Sequence, residues 1–387
     1  MKRFLVPAFV LILSICLLLT AAIAAPRNRP NLAPRTFTVM VGFEQPHSGI
    51  GVMAYFPRSV TIHVGDTVHW VQNSNEIHTV TFLGGETLPE LLLPSATVAG
   101  ADPTVSPLLF NPAVADPAIP ANGEYAGGTY ANSGIMGREP GQVSEFDLTF
   151  TSQGTFDYVC VVHGFAMAGE VVVVPSDEAV PSPNQATAEG LKEMAEALSL
   201  VPGVVRDAAG QVVPPVTNAD GTVTHTVEVG FGETVTASYG DTEIDLMQFF
   251  PNRLRVRPGD TVNFEMSADN LAPHTVTFLN GEEEPPLAVF ENGFLYLNSD
   301  VFFPAGGAVL TRSGIFNSGL LLPISGTSYT LEMGDMKPGL QHFLCLLHDS
   351  SGMKGELTIL PQQPDTDCRR TRRPSGHNWW LMFPWTQ

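Results

Sequence analysis

An all-β chain made of two tandem β-sandwich domains is the architecture this sequence predicts, and three observations predict it. Four sequence blocks recur in the same order in the two halves. Within the blocks, apolar and polar residues alternate with the period of a half-buried strand. Gly and Pro, at 36 and 32 of 387 residues, supply the turns that many short strands need.

The blocks can be followed along the chain. TFTVMVGFE at 36–44 returns as THTVEVGFG at 224–232, and AYFPRSVTIHVGDTVHW at 54–70 returns as QFFPNRLRVRPGDTVNF at 248–264. EIHTVTFLGGE at 76–86 matches APHTVTFLNGE at 272–282, and CVVHGFAMAGEVVVV at 160–174 matches CLLHDSSGMKGELTI at 345–359. In the second block, apolar residues alternate on both sides of a Gly-Asp turn, as in two strands joined tightly. The repeats place one domain at 36–175 and the other at 223–361, with a linker at 176–222. The linker opens on a Pro-rich run, and over 186–200 the spacing of Leu191, Met194, Ala195 and Leu198 predicts a short amphipathic helix. A tail at 362–387 has four Arg between Arg369 and Arg373 and an apolar Trp379–Phe383. It reads either as a membrane-surface contact or as a disordered end.

Residues 1–25 read as a signal peptide. Lys2 and Arg3 precede an apolar run from Phe4 to Leu19, and Ala22-Ile23-Ala24 has the small residues of a cleavage site. Ile15 is too bulky for Cys16 to sit in a lipoprotein box. The expected destination is the periplasm, the cell surface or the extracellular space. Acidic residues outnumber basic ones 39 to 19, and losing Lys2 and Arg3 takes the formal charge from −20 to −22. That sign argues against nucleic acid and suits basic protein partners.

Export makes the cysteines informative. Cys160, Cys345 and Cys368 remain after cleavage, and the first two occupy equivalent places in the repeat. They read as counterparts, not as a disulfide pair. A thiol kept in an oxidising compartment needs burial or a metal. The repeated polar residues around them are His78, Cys160, His163 and Met167 in the first copy, and His274, Cys345, His348 and Met353 in the second. Two imidazoles, a thiolate and a weak thioether are the ligand set of a blue-copper electron-transfer site. A lone buried Cys is commonly packing and a lone His a satisfied polar group; a complete set occurring twice is neither. Other histidines do not repeat: His63 aligns with Arg257, His69 with Asn263 and His225 with Phe37, so they read as surface residues.

These motifs, Phe-Pro with its Gly-Asp-Thr-Val strand pair, His-Thr-Val-Thr-Phe, and Cys-x-x-His followed by Met and Gly-Glu, resemble the plastocyanin/azurin family of cupredoxins over most of both copies. The resemblance implies an eight-stranded Greek-key sandwich or barrel for each copy. It also implies one type 1 copper per domain, two per chain. By that resemblance His78 and His274 are the first ligands, Cys160 and Cys345 the thiolates, His163 and His348 the surface-edge imidazoles, and Met167 and Met353 the axial ligands. Phe165 and Ala166 beside His163 would form an apolar contact patch, replaced in the second copy by Asp349, Ser350 and Ser351. Two departures stand out. The interval from first His to Cys, 82 residues in one copy and 71 in the other, implies a long excursion over one end of each domain. The Cys-side loops also differ by one residue between His and Met.

Type 2 or trinuclear copper enzymes of similar build use a His directly before the Cys, or His-x-His pairs. Val159 and Leu344 stand before the cysteines here, and no His-x-His occurs. The expected function is therefore non-enzymatic: single-electron transfer between redox protein partners, a basic cytochrome among the candidates, with no small-molecule substrate. An oxidase or nitrite-reductase-like enzyme is one alternative. Copper storage, delivery or a surface role on the same fold is the other.

Overall fold

The protein is described by a computed structural model covering residues 33–362, apart from 139–141, 268, 269, 271 and 323–326. The signal peptide expected at 1–25 and the tail from 363 onward lie outside the described residues.

In the first half, eight strands form two facing sheets. They are β1 (Thr36–Gln45), β2 (Ile50–Phe56), β3 (Ser59–His63), β4 (Thr67–Gln72), β5 (Thr81–Phe82), β6 (Glu145–Phe150), β7 (Gly154–Cys160) and β8 (Gly164–Val174). One sheet runs β2-β1-β4-β6 and the other β3-β8-β7-β5, with β1–β4 and β3–β8 parallel and the remaining pairs antiparallel. Alternation explains the sandwich: Phe37, Val39 and Val41 on β1 and Val68 and Trp70 on β4 all point into the core and are fully buried. Trp70 meets Phe82 and Tyr158 edge-on at 5.8 and 5.3 Å, contacts that add about 0.5–1.5 kcal/mol per pair beyond burial.

The second half repeats the plan: β9 (Val223–Ala237), β10 (Gly240–Phe250), β11 (Arg253–Val256), β12 (Thr261–Glu265), β13 (Thr277–Phe278), β14 (Ser328–Met333), β15 (Gly339–Leu344) and β16 (Lys354–Ile359). Its sheets run β10-β9-β12-β14 and β11-β16-β15-β13. Each half has its own core, one around Trp70 and one around Phe264 and Phe343. The fold is all-β, two tandem cupredoxin-like sandwiches.

Three features join the halves. Strand β10 pairs antiparallel with β2, Ile244 opposite Val52, so one sheet passes continuously through both domains. The linker helix spans Pro183–Gly210 and is thus longer than the 186–200 the sequence suggested, with Pro202 inside it. Its start carries a capping box, Ser182 with Gln185, and Pro183 at the first turn. Its buried stripe is Ala186, Gly190, Met194, Ala197, Val201, Val204 and Ala208, packed over Val52, Phe56, Ile244 and Leu246 at the seam. Of the expected face Met194 is buried and Leu198 packs partly, whereas Leu191 (53% exposed) and Ala195 face outward, so the face is rotated; Ala186, Gly190 and Ala197 let the helix lie close on the sheet. No helix among the described residues is long and apolar enough to cross a membrane.

The third feature is the pair of excursions between first His and Cys. Leu92–Pro94 and Leu108–Phe110 from the first meet Phe294–Leu297 and Ala288–Glu291 from the second in one four-stranded sheet. Phe110, Ile135 and Leu297 form a small shared core beneath it. The excursions therefore cover each other and the ends of both sandwiches.

Candidate metal centres

Each candidate centre is assembled from two distant stretches of chain. In the first domain, His78 is fixed by backbone bonds in both directions with Met136, N to O 3.0 Å and O to N 2.7 Å. Cys160 ends β7, and His163 lies in the tight connection to β8, which starts at Gly164. Three donor atoms converge: His78 Nδ1 is 3.2 Å from His163 Nδ1, and Cys160 Sγ is 3.9 and 3.4 Å from them. Met167, fully buried, belongs to the same core as Cys160.

The second domain reproduces this. His274 is tied to Leu321 at 3.0 and 2.8 Å. His274 Nδ1 and His348 Nδ1 are 2.9 Å apart, with Cys345 Sγ 3.9 and 3.5 Å away. The one-residue-longer loop is closed by Cys345 N donating to Met353 O and Met353 N donating to His348 O, both 3.0 Å. Met353 is fully buried beside Cys345 in the second core. Among the described residues, His78-Cys160-His163 and His274-Cys345-His348 are the two clusters of three or more such side chains close enough to hold a metal ion.

Local supports absent from the sequence reading complete the sites. Thr79 N donates to Cys160 Sγ at 3.3 Å, and Val161 N donates to Thr79 Oγ1 at 2.8 Å. Thr275 does the same for Cys345 and Leu346 at 3.3 and 2.8 Å. The Thr after each ligand His thus braces the Cys, and the repeated His-Thr dipeptide was the visible signal. Ser74 Oγ lies 2.8 Å from His78 Nε2, setting the ring's outer edge.

The charge states differ between the centres. Burial, with His163 nearby, holds His78 well below the usual imidazole range, and burial with His348 does so for His274. Burial pushes His163 down to about 4 despite the Glu76 carboxylate. Burial likewise opposes charge on His348, but Glu76 and the Cys345 thiol outweigh it and raise His348 well above the usual range. Burial raises the Cys160 thiol; at Cys345 burial pushes the same way, but His348 overcomes it and the thiol is lowered.

One expectation needs correction. His348 is not at a surface edge: it is 3% exposed, and its Nε2 faces Glu76 Oε2 of the first domain at 3.4 Å. His163 is half-buried, and both imidazoles line a cavity of about 180 Å³ between the domains, with Ile77, Phe110 and Leu297. The joined excursions close this end, which is why the edge is lost. Phe165 beside His163 is 68% exposed, as expected. His63, expected at the surface, is 6% exposed, placed between Arg35 and the Glu178 carbonyl; His69 pairs with Asp147 at 2.8 Å.

A thiol and two imidazoles whose Nδ1 atoms meet at one point, with a buried thioether in the same core, fit copper, one in each domain. The fold and these two clusters define a cupredoxin-like β-sandwich protein with two candidate copper sites. Residues 45–174 match the family of copper binding proteins named plastocyanin/azurin. Among solved structures, the chain is similar to the oxidized form of an amicyanin mutant, at 21% identity over 36% of this chain and 82% of that one, TM-score 0.20. It is similar also to the reduced Cu(I) form of another amicyanin mutant, at 22% over 37% and 87%, TM-score 0.21. A mutant plastocyanin of fern matches at 20% over 35% of this chain and 99% of that one, TM-score 0.21.

Proposed function

We propose that this is an exported electron-transfer protein with a mononuclear type 1 copper site in each domain, exchanging single electrons with redox protein partners. The ligands are His78, Cys160, His163 and Met167 in one domain, and His274, Cys345, His348 and Met353 in the other. The observation that carries the reading is the convergence, twice, of two imidazole Nδ1 atoms on one buried cysteine sulfur. Bound copper supplies a one-electron couple. The strands and the short connections they anchor hold its ligands and exclude water, so that changing charge requires little rearrangement. The exposed Phe165 beside His163 offers an apolar contact for a partner, and the acidic chain favours a basic one, such as a cytochrome. Export rests on the N-terminal pattern of residues 1–25, which also sets the mature charge.

The test is copper content per chain with visible spectra for wild type, Cys160→Ser and Cys345→Ser. Each change should remove half the blue thiolate absorption. Wild type taking copper without that absorption would favour storage or delivery instead.

A further inference from the structure

We infer that Glu76 of the first domain is a positioning residue for the metal centre of the second, so that the second site is completed by its neighbour domain. This rests on the copper reading above and deepens it.

Three observations converge on Glu76. Its Oε2 is 3.4 Å from His348 Nε2, with the two side chains 11% and 3% exposed, so the contact is shielded from water. The other ring nitrogen, Nδ1, is the one that faces Cys345 and His274. A carboxylate accepting the Nε2 proton fixes the tautomer that leaves an Nδ1 lone pair free, and orients the ring.

The backbone that presents the carboxylate is itself held firmly. The Glu76 carbonyl accepts from Gln72 Nε2 at 2.5 Å and Ser74 Oγ at 3.3 Å, and Asn75 N donates to Glu44 Oε2 at 2.8 Å. The turn that presents Glu76 to the second centre also carries His78 of the first.

The arrangement is one-sided. The repeat places Ala272 at the position of Glu76, and Ala272 lines the same cavity as His163. No carboxylate can reach His163 from that position, so the duplication supplies its own control.

Full-length protein with Cys160→Ser reports the second thiolate alone, and with Cys345→Ser the first alone. Copper(II) is titrated against a competing chelator in both backgrounds, with Glu76, Glu76→Gln and Glu76→Ala. Glu76→Ala should weaken second-site binding by about 10-fold or more. It should also alter that site's copper EPR spectrum and abolish the protected His348 Nε2–H resonance of the copper(I) form, with Glu76→Gln falling between. The second site should lose more affinity than the first, and the urea unfolding of the metal-free variants reports folding. Second-site affinity, EPR and the Nε2–H resonance unchanged in Glu76→Ala would overturn the inference while leaving the copper reading intact. A Cys160→Ser parent that gives no thiolate absorption with copper would overturn both for that domain.

Discussion

Gly42 sits against the imidazole of His78, so close that a Cβ on Gly42 would collide with Nε2. Its φ of +67° marks a bulge in β1 between Val41 and Phe43, and Gly230 repeats the device against His274 with a φ of +73°. The bulge makes room for the ring that Ser74 then orients. Gly42→Ala combines left-handed backbone strain, about 1–2 kcal/mol, with displacement of a candidate ligand. We expect a lower urea midpoint and weaker copper binding in the first site only, read in the Cys345→Ser background. Unchanged copper affinity would mean that the ring tolerates the intrusion.

The two thiols should titrate in separate steps. Burial raises Cys160 above its ordinary value near 9, whereas at Cys345 the raised, protonated His348 outweighs burial and lowers the thiol. In the reduced, metal-free protein, the first ultraviolet thiolate absorption to appear as pH rises should belong to Cys345. Cys345→Ser should delete that early step, and Cys160→Ser the later one. A single shared step surviving both changes would contradict the asymmetry.

Much of this was legible beforehand because the duplication exposes it. Strand alternation and the paired His-Cys-His-Met sets needed only comparison of one half with the other. A fifth, shorter repeat lies inside the excursions: Asn132-Ser133-Gly134 and Asn317-Ser318-Gly319. Asn132 accepts from Thr81 and Ser133 from Val80 N, both at 2.8 Å; Asn317 and Ser318 serve Thr277 and Val276 at 2.9 and 2.8 Å. What could not be read was everything between the halves. The β2–β10 pairing and the Glu76–His348 contact depend on docking, which leaves no periodic trace. Glu76 aligns with Ala272, a mismatch in the repeat that marks the asymmetry.

A buried acid at the seam gives a pH dependence. Glu243, on β10 opposite Met53, is 3% exposed; burial, then the neighbouring Asp245 charge, pushes its carboxyl well above the usual range. The native state thus keeps a proton that the unfolded chain has already released above the ordinary carboxylate pKa near 4.5. Stability falls as pH rises from there through neutrality. Glu243→Gln should flatten that slope by at least about 1 kcal/mol between roughly pH 5 and 8. Urea midpoints of the metal-free protein across this range check it; parallel slopes would dismiss the role.

Two glycines on the linker helix should respond oppositely to the same substitution. Gly203 has only the Arg206 guanidinium near a prospective Cβ, at 3.6 Å, so Gly203→Ala should stabilise by about 0.4–1 kcal/mol through the unfolded chain. At Gly190 the same atom would lie 2.6 Å from Pro57 N and 2.7 Å from Phe56 C. Backbone cannot step aside as a side chain can, so the helix itself must lift. Lifting it opens the packing of Met194 and Ala197 over Phe56, Val52 and Ile244. We expect Gly190→Ala to cost about 1–3 kcal/mol, the reverse of its helix propensity. Thermal unfolding of the two variants side by side decides it. If both stabilise, the helix rides loosely on the seam; if Gly190→Ala alone destabilises, close contact with the shared sheet is what fixes the helix across both domains.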